Sequence, residues 1–152
     1  MLTLIVTLPT DRSQTGTLQV ILNGATMDSF PCLGKADNDM ARRKGNPSRN
    51  PERPYGDTPT GTWTVRVGIT KREQDVYGKH PVLMLWPTGG QAMRAYNVGR
   101  RSGIWIHGGE PSAAGGLRPT YGCIRVLDET MARLHELIRQ YGRIETLETK
   151  EA

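Results

Sequence analysis

Two side chains in this sequence have the chemistry of a nucleophile and its base. Cys123 follows Gly122 in Thr120-Tyr121-Gly122-Cys123-Ile124-Arg125, and His107 precedes Gly108 sixteen residues before that cysteine. A Gly-Cys step where a loop becomes a strand can expose a thiol at a sharp turn. The backbone N–H groups of Tyr121, Gly122 and Cys123 can then converge on a developing oxyanion. A free thiol has a pKa of about 8.5, so it needs a nearby base or cation to react at neutral pH. His107 ends the run Gly103–His107 and is the natural base once the loop Gly108–Thr120 folds back.

Strands must position this pair, and their parity fits. Ile104 and Ile106 point one way, Trp105 and His107 the other; Ile124 and Val126 likewise oppose Cys123 and Arg125. With the aliphatic side chains in the core, Trp105, His107, Cys123 and Arg125 face one groove. Leu2–Leu8, Thr17–Leu22 and Ala25–Leu33 read as strands, the last two joined by an Asn23-Gly24 turn. Thr62–Thr70 alternates, with Trp63, Val65, Val67 and Ile69 on one side, and Pro81–Trp86 reads as a buried strand. A helix is predicted from about Glu129 to Tyr141. Asp128 is its N-cap, Leu127, Met131, Leu134 and Ile138 form its apolar stripe, and Gly142 is its stop. Arg143–Thr149 closes the fold as a last strand. The segment from Lys35 to Gly61 reads as a long basic loop. No repeat or linker divides the chain, so residues 1–152 form one mainly β domain with one supporting helix near the C-terminus.

The 18 glycines and 10 prolines favour this turn-rich reading over a helix bundle. A net charge of +5 suits polyanionic surroundings. The Arg42–Arg53 run reads first as a solvated loop and next as a contact for anionic wall polymer. Nucleic acid is disfavoured, because no aromatic residue punctuates that run. The two cysteines build no disulfide framework. Cys32 reads as a small core residue, His80 as a loop residue and His135 as solvated. A zinc site from Cys32, His80, His107 and Cys123 lacks paired ligand spacing, so no metal is expected. The N-terminal run ending at Pro9 has no basic flank and no cleavage site, and reads as a strand rather than a signal peptide or membrane span.

His107-Gly108 followed by Thr120-x-Gly122-Cys123-x-Arg125 resembles the signature of the L,D-transpeptidase (YkuD-like) catalytic domain. Asp57-Thr58-Pro59-Thr60-Gly61, with Trp63 beyond, resembles an upstream segment of that family, and Leu33-Gly34-Lys35 fits the end of an early family strand. The resemblance implies a β-sandwich-like catalytic domain with no cofactor. It makes Cys123 the nucleophile and His107 its activator, with Gly108 packing closely beside the histidine. Thr120, Arg125 and Trp105 would bind substrate or order the site, Arg125 by facing a substrate carboxylate or holding the site together. Tyr121 stands where many members carry histidine, and the Gly108–Thr120 loop lacks the bulk of a capping element. The implied substrates are peptidoglycan stem peptides, cleaved between diaminopimelate and D-alanine. The implied place of action is the periplasm or cell wall. With no signal peptide read in the sequence, the expectation is a trimmed chain or leaderless export, such as that of an antibacterial effector with secretion or immunity partners. Two other readings compete. A papain-like amidase would place its cysteine before the histidine, at the start of a helix. A non-catalytic wall-binding module would bury Cys123.

Overall fold

The computed structural model describes residues 1–69 and 74–152. Eight strands form one sheet: β1 (Leu2–Leu8), β2 (Gly16–Leu22), β3 (Ala25–Cys32), β4 (Gly61–Gly68), β5 (Val82–Gly89), β6 (Trp105–His107), β7 (Ile124–Arg125) and β8 (Ile144–Glu151). Their order across the sheet is β3-β2-β1-β8-β4-β5-β6-β7. The sheet bends until its ends meet. Leu33, just past β3, pairs antiparallel with Arg125 of β7, each N–H donating to the other's carbonyl at 2.9 Å. The seam lies beside Cys123.

Alternation explains the interior. Leu2, Leu4, Val6 and Leu8 of β1 are buried while the residues between them are half-exposed, and Leu18, Val20, Ile144 and Leu147 join the same cluster. Asn23 and Gly24 turn β2 into β3 with φ of 51° and 80°, the paired positive values a tight hairpin needs. β4 keeps its alternation only at the start. Trp63 is buried, but Val67 and Ile69 are 51% and 83% exposed. β8 pairs with β4 only as far as Trp63, so the outer part of β4 runs on beyond the body of the sheet with β5 alone. The expected end of this strand, Thr70, lies outside the described residues.

Helix α4 (Asp128–Tyr141) stacks Met131, Leu134 and Leu137 into the core, with Ile138 packed against it. Gly142 ends it with φ of 94°. Its N-cap is Leu127, not Asp128: the Asp128 carboxylate reaches out of the helix to accept the Gly109 N–H at 3.1 Å. Among the described residues three shorter helices add to the expected one. α1 (Asn38–Arg43) interrupts the segment read as a basic loop, and Asp37 caps it by accepting the Met40 N–H. α2 (Gln74–Tyr77) leads back toward β5. α3 (Gly90–Asn97) buries only Ala92 and Ala95, side chains too small to give a visible apolar stripe. His135 is half-buried rather than fully exposed, and its Nε2 lies 2.8 Å from the Pro81 carbonyl.

Candidate active site

The turn that carries Cys123 is stapled from three sides. Gly122 has φ of 113°. A Cβ there would stand 1.7 Å from Arg101 Nη2 and 2.5 Å from the Gly56 carbonyl oxygen, so both strain and space require glycine. Thr120 Oγ1 accepts the Gly122 N–H at 2.9 Å and donates to the Cys123 carbonyl at 2.8 Å. Thr58 Oγ1 donates to the Gly122 carbonyl at 2.7 Å. The Gly122 N–H is therefore occupied, which removes it from the expected oxyanion donors unless Thr120 releases it. The Cys123 sulfur accepts the Trp105 N–H at 3.4 Å and lies 3.5 Å from the Gly103 carbonyl. Cys123 stays part-exposed, whereas Cys32 is fully buried.

The parity argument meets the structure well. Ile104, Ile106, Ile124 and Val126 are in the core, while Trp105, His107, Cys123 and Arg125 line one cleft of about 760 Å³. β6 and β7 run parallel, with Ile106 opposite Ile124 and His107 opposite Arg125. His107 is only 2% exposed, and its Nδ1 lies 2.8 Å from the Gly108 carbonyl. A carbonyl can only accept, so in the neutral ring the proton sits on Nδ1 and Nε2 is left as the basic atom. Burial pulls the imidazole down to about 4; the Gly108 carbonyl opposes this, Arg125 adds to it and Asp128 opposes it. Burial also raises the Cys123 thiol above its ordinary value, against the Trp105 N–H, Arg101 and Arg125.

Arg125 is 3% exposed, and its guanidinium donates to the carbonyls of Val76, Gly108, Arg118 and Pro119. Of the two roles the sequence suggested, this favours ordering the site, because most of its five N–H groups are already used. Among the described residues no carboxylate forms an ion pair with it. Gly108 packs closely against the start of α4, where a Cβ would be 2.0 Å from Asp128 Oδ1.

This geometry has its counterpart in sequence comparison. Residues 10–145 match the model of the L,D-transpeptidase catalytic domain, YkuD. The chain belongs to that family. No curated protein matches the sequence significantly. Among solved structures, the chain is similar to Bdellovibrio bacteriovorus Bd1075, with 14% identity and a TM-score of 0.60 over 97% of this chain and 46% of that one. It is also similar to Mycobacterium tuberculosis L,D-transpeptidase 1, with 17% identity and a TM-score of 0.41 over 96% of this chain and 60% of that one. The chain thus spans about half the length of these solved relatives.

Several residues of this L,D-transpeptidase domain carry roles that its sequence did not announce. Tyr77 of α2 sets its ring 4.9 Å from that of His107 and 5.7 Å from that of Trp105. Helix α2 thus supplies a cover over the histidine. Tyr55 and Tyr121 face each other at 6.0 Å elsewhere along the cleft. Thr58 lies in the Asp57-Thr58-Pro59 segment, whose resemblance marked it without giving it a task. Arg101, beneath the nucleophile turn, had no signal at all in the sequence. Among the described residues no three His, Cys, Asp or Glu side chains gather closely enough to hold a metal ion, and no helix is long and apolar enough to cross a membrane.

Proposed function

We propose that this domain transfers the acyl group of peptidoglycan tetrapeptide stems through a thioester on Cys123. The observation that carries the reading is a part-exposed Cys123 sharing one cleft with a His107 whose Nδ1 is engaged at the Gly108 carbonyl, which leaves Nε2 as the basic atom. As Cys123 Sγ attacks the carbonyl at the L-centre of diaminopimelate, Nε2 takes the thiol proton. The N–H groups of Tyr121 and Cys123 receive the oxyanion. The imidazolium then protonates the departing amine of D-alanine and leaves the thioester. Burial, which makes the protonated ring costly, favours handing that proton on. An amine acceptor would yield a cross-link and water a shortened stem, so the same intermediate supports transpeptidase and carboxypeptidase outcomes.

Incubation with defined disaccharide-tetrapeptides, with products separated by mass, tests this reading. D-alanine should be released, a carbapenem should add its mass to Cys123, and Cys123→Ala should abolish both. His107→Ala should slow turnover by at least about 10²-fold. Full activity in Cys123→Ala would refute the mechanism. Stem-peptide binding without any release would favour a wall-binding module. The exposed side chains of Arg42, Arg43, Lys44 and Arg53 support contact with anionic wall polymer, which should weaken as salt rises. Action in the periplasm or wall would make the chain toxic to a bacterium only when it is directed there, as an effector would be.

A further inference from the structure

The mechanism above leaves a buried charge in the cleft unused. Arg101 is 5% exposed, yet it lines the cleft that holds Cys123. Its guanidinium donates to the carbonyls of Pro51, Asp57 and Gly56, each at 2.6 Å. None of these partners is charged, so the hydrogen bonds fix the group in place without neutralising it. Its Nη2 lies directly against Gly122, where a Cβ would be only 1.7 Å away. Its own N–H is anchored to the Ala95 carbonyl of α3 at 2.9 Å. A buried charge is costly unless it is paired and hydrogen-bonded, and the guanidinium has the hydrogen bonds without an opposite charge among them.

We propose that Arg101 is a positioning residue for the nucleophile: its guanidinium clamps the Gly56–Asp57 backbone beneath the Gly122–Cys123 turn and holds a fixed positive charge beside the sulfur as it becomes a thiolate. The inference rests on the reading of Cys123 as the nucleophile. Two electrostatic facts agree with it. Arg101 draws the Cys123 thiol down against the burial that raises it. Burial lowers Arg101 itself only to about 10, with Cys123 and then Asp57 opposing the drop, so it remains charged at neutral pH. Arg125, the second guanidinium acting on Cys123, spends its donors on the carbonyls of Val76, Arg118, Pro119 and Gly108, the last of which also meets His107 Nδ1. Division of labour follows: Arg125 orders the histidine side, and Arg101 the cysteine side.

The test is the rate of Cys123 alkylation by iodoacetamide across pH 6–9, in a Cys32→Ala background, for wild type, Arg101→Lys and Arg101→Met. Thiolate, not thiol, reacts, so the profile reports the charge felt at sulfur. Arg101→Met should displace the profile upward by about one pH unit or more, which is about tenfold slower reaction at any pH below the midpoint. Arg101→Lys, which keeps the charge and three donors, should stay within about threefold of wild type. A Met variant that melts cooperatively and follows the wild-type profile overturns the proposal, and so does an equal displacement in Lys and Met. If Arg101→Met does not fold, Arg101→Gln takes its place, retaining two N–H donors without charge, and must show the same upward displacement. Alkylation needs no stem peptide, so the two ideas fail separately. A displaced profile in a protein that releases no D-alanine sinks the functional reading alone, whereas normal turnover with no displacement sinks the role of Arg101 alone.

Discussion

Burial acts on the two central groups in opposite directions, raising the Cys123 thiol and lowering the His107 imidazole, so both rest uncharged at neutral pH. A neutral base needs no deprotonation before it can act. kcat/KM for D-alanine release should therefore stay level across pH 6.5 and fall only as the pH approaches about 4, where His107 becomes protonated. A half-maximal point near 6.5 would mean that the imidazole titrates as an ordinary surface histidine. The thiols separate just as clearly. Burial alone pushes Cys32 up to about 12, and its side chain is fully covered. Mass spectrometry after brief alkylation of the folded protein should find the label on Cys123, and Cys32 should react only on unfolding. Label appearing first on Cys32 would misplace the active centre.

At the scale of elements, the site is a meeting of segments far apart in the chain. The pair itself was legible in the sequence because period-two alternation carries direction: once Ile104, Ile106, Ile124 and Val126 are inside, His107 and Cys123 must share the other face. The clamp beneath them was not legible. Arg101 gains its role from carbonyls 44 to 50 residues away, and no local pattern encodes such contacts. Asp128 misled for a related reason. Its type and place suit an N-cap, but the nearby Gly109 N–H offered a tertiary partner instead. Helix α3 was hidden because it begins at Gly90, a poor helix former, and its buried side chains are alanines. The clamp makes a sharp prediction. Gly122→Ala forces a Cβ into both Arg101 and the Gly56 carbonyl at a φ of 113°. Urea denaturation should show a loss of about 1–3 kcal/mol, the usual cost of overpacking, accompanied by loss of turnover. Wild-type stability in that variant would mean the turn is looser than the hydrogen bonds of Thr58 and Thr120 imply.

For the whole molecule, the closing seam ties catalysis to stability. The Leu33–Arg125 pairing joins the two ends of the sheet, and the same strand of two residues places Arg125 opposite His107. A charge forced onto His107 is therefore felt by the fold as well as by the reaction. The folded ring titrates at about 4, against an ordinary value near 6.5 in the unfolded chain. Above the unfolded value both states hold a neutral ring, and the fold suffers no penalty. As the pH falls from 6.5 to 4, the unfolded chain takes up the proton and the folded one resists, so stability is lost across that window. A difference of this size corresponds to about 3 kcal/mol, a large share of a typical domain's stability. Urea unfolding at pH 7, 6, 5 and 4 should reveal this slope in the wild type. His107→Asn, which cannot titrate but places an amide N–H where Nδ1 meets the Gly108 carbonyl, should lose visibly less stability over the same range. Parallel losses in the two proteins would show that the acid sensitivity resides elsewhere and that the buried imidazole is solvated more freely than its 2% exposure indicates.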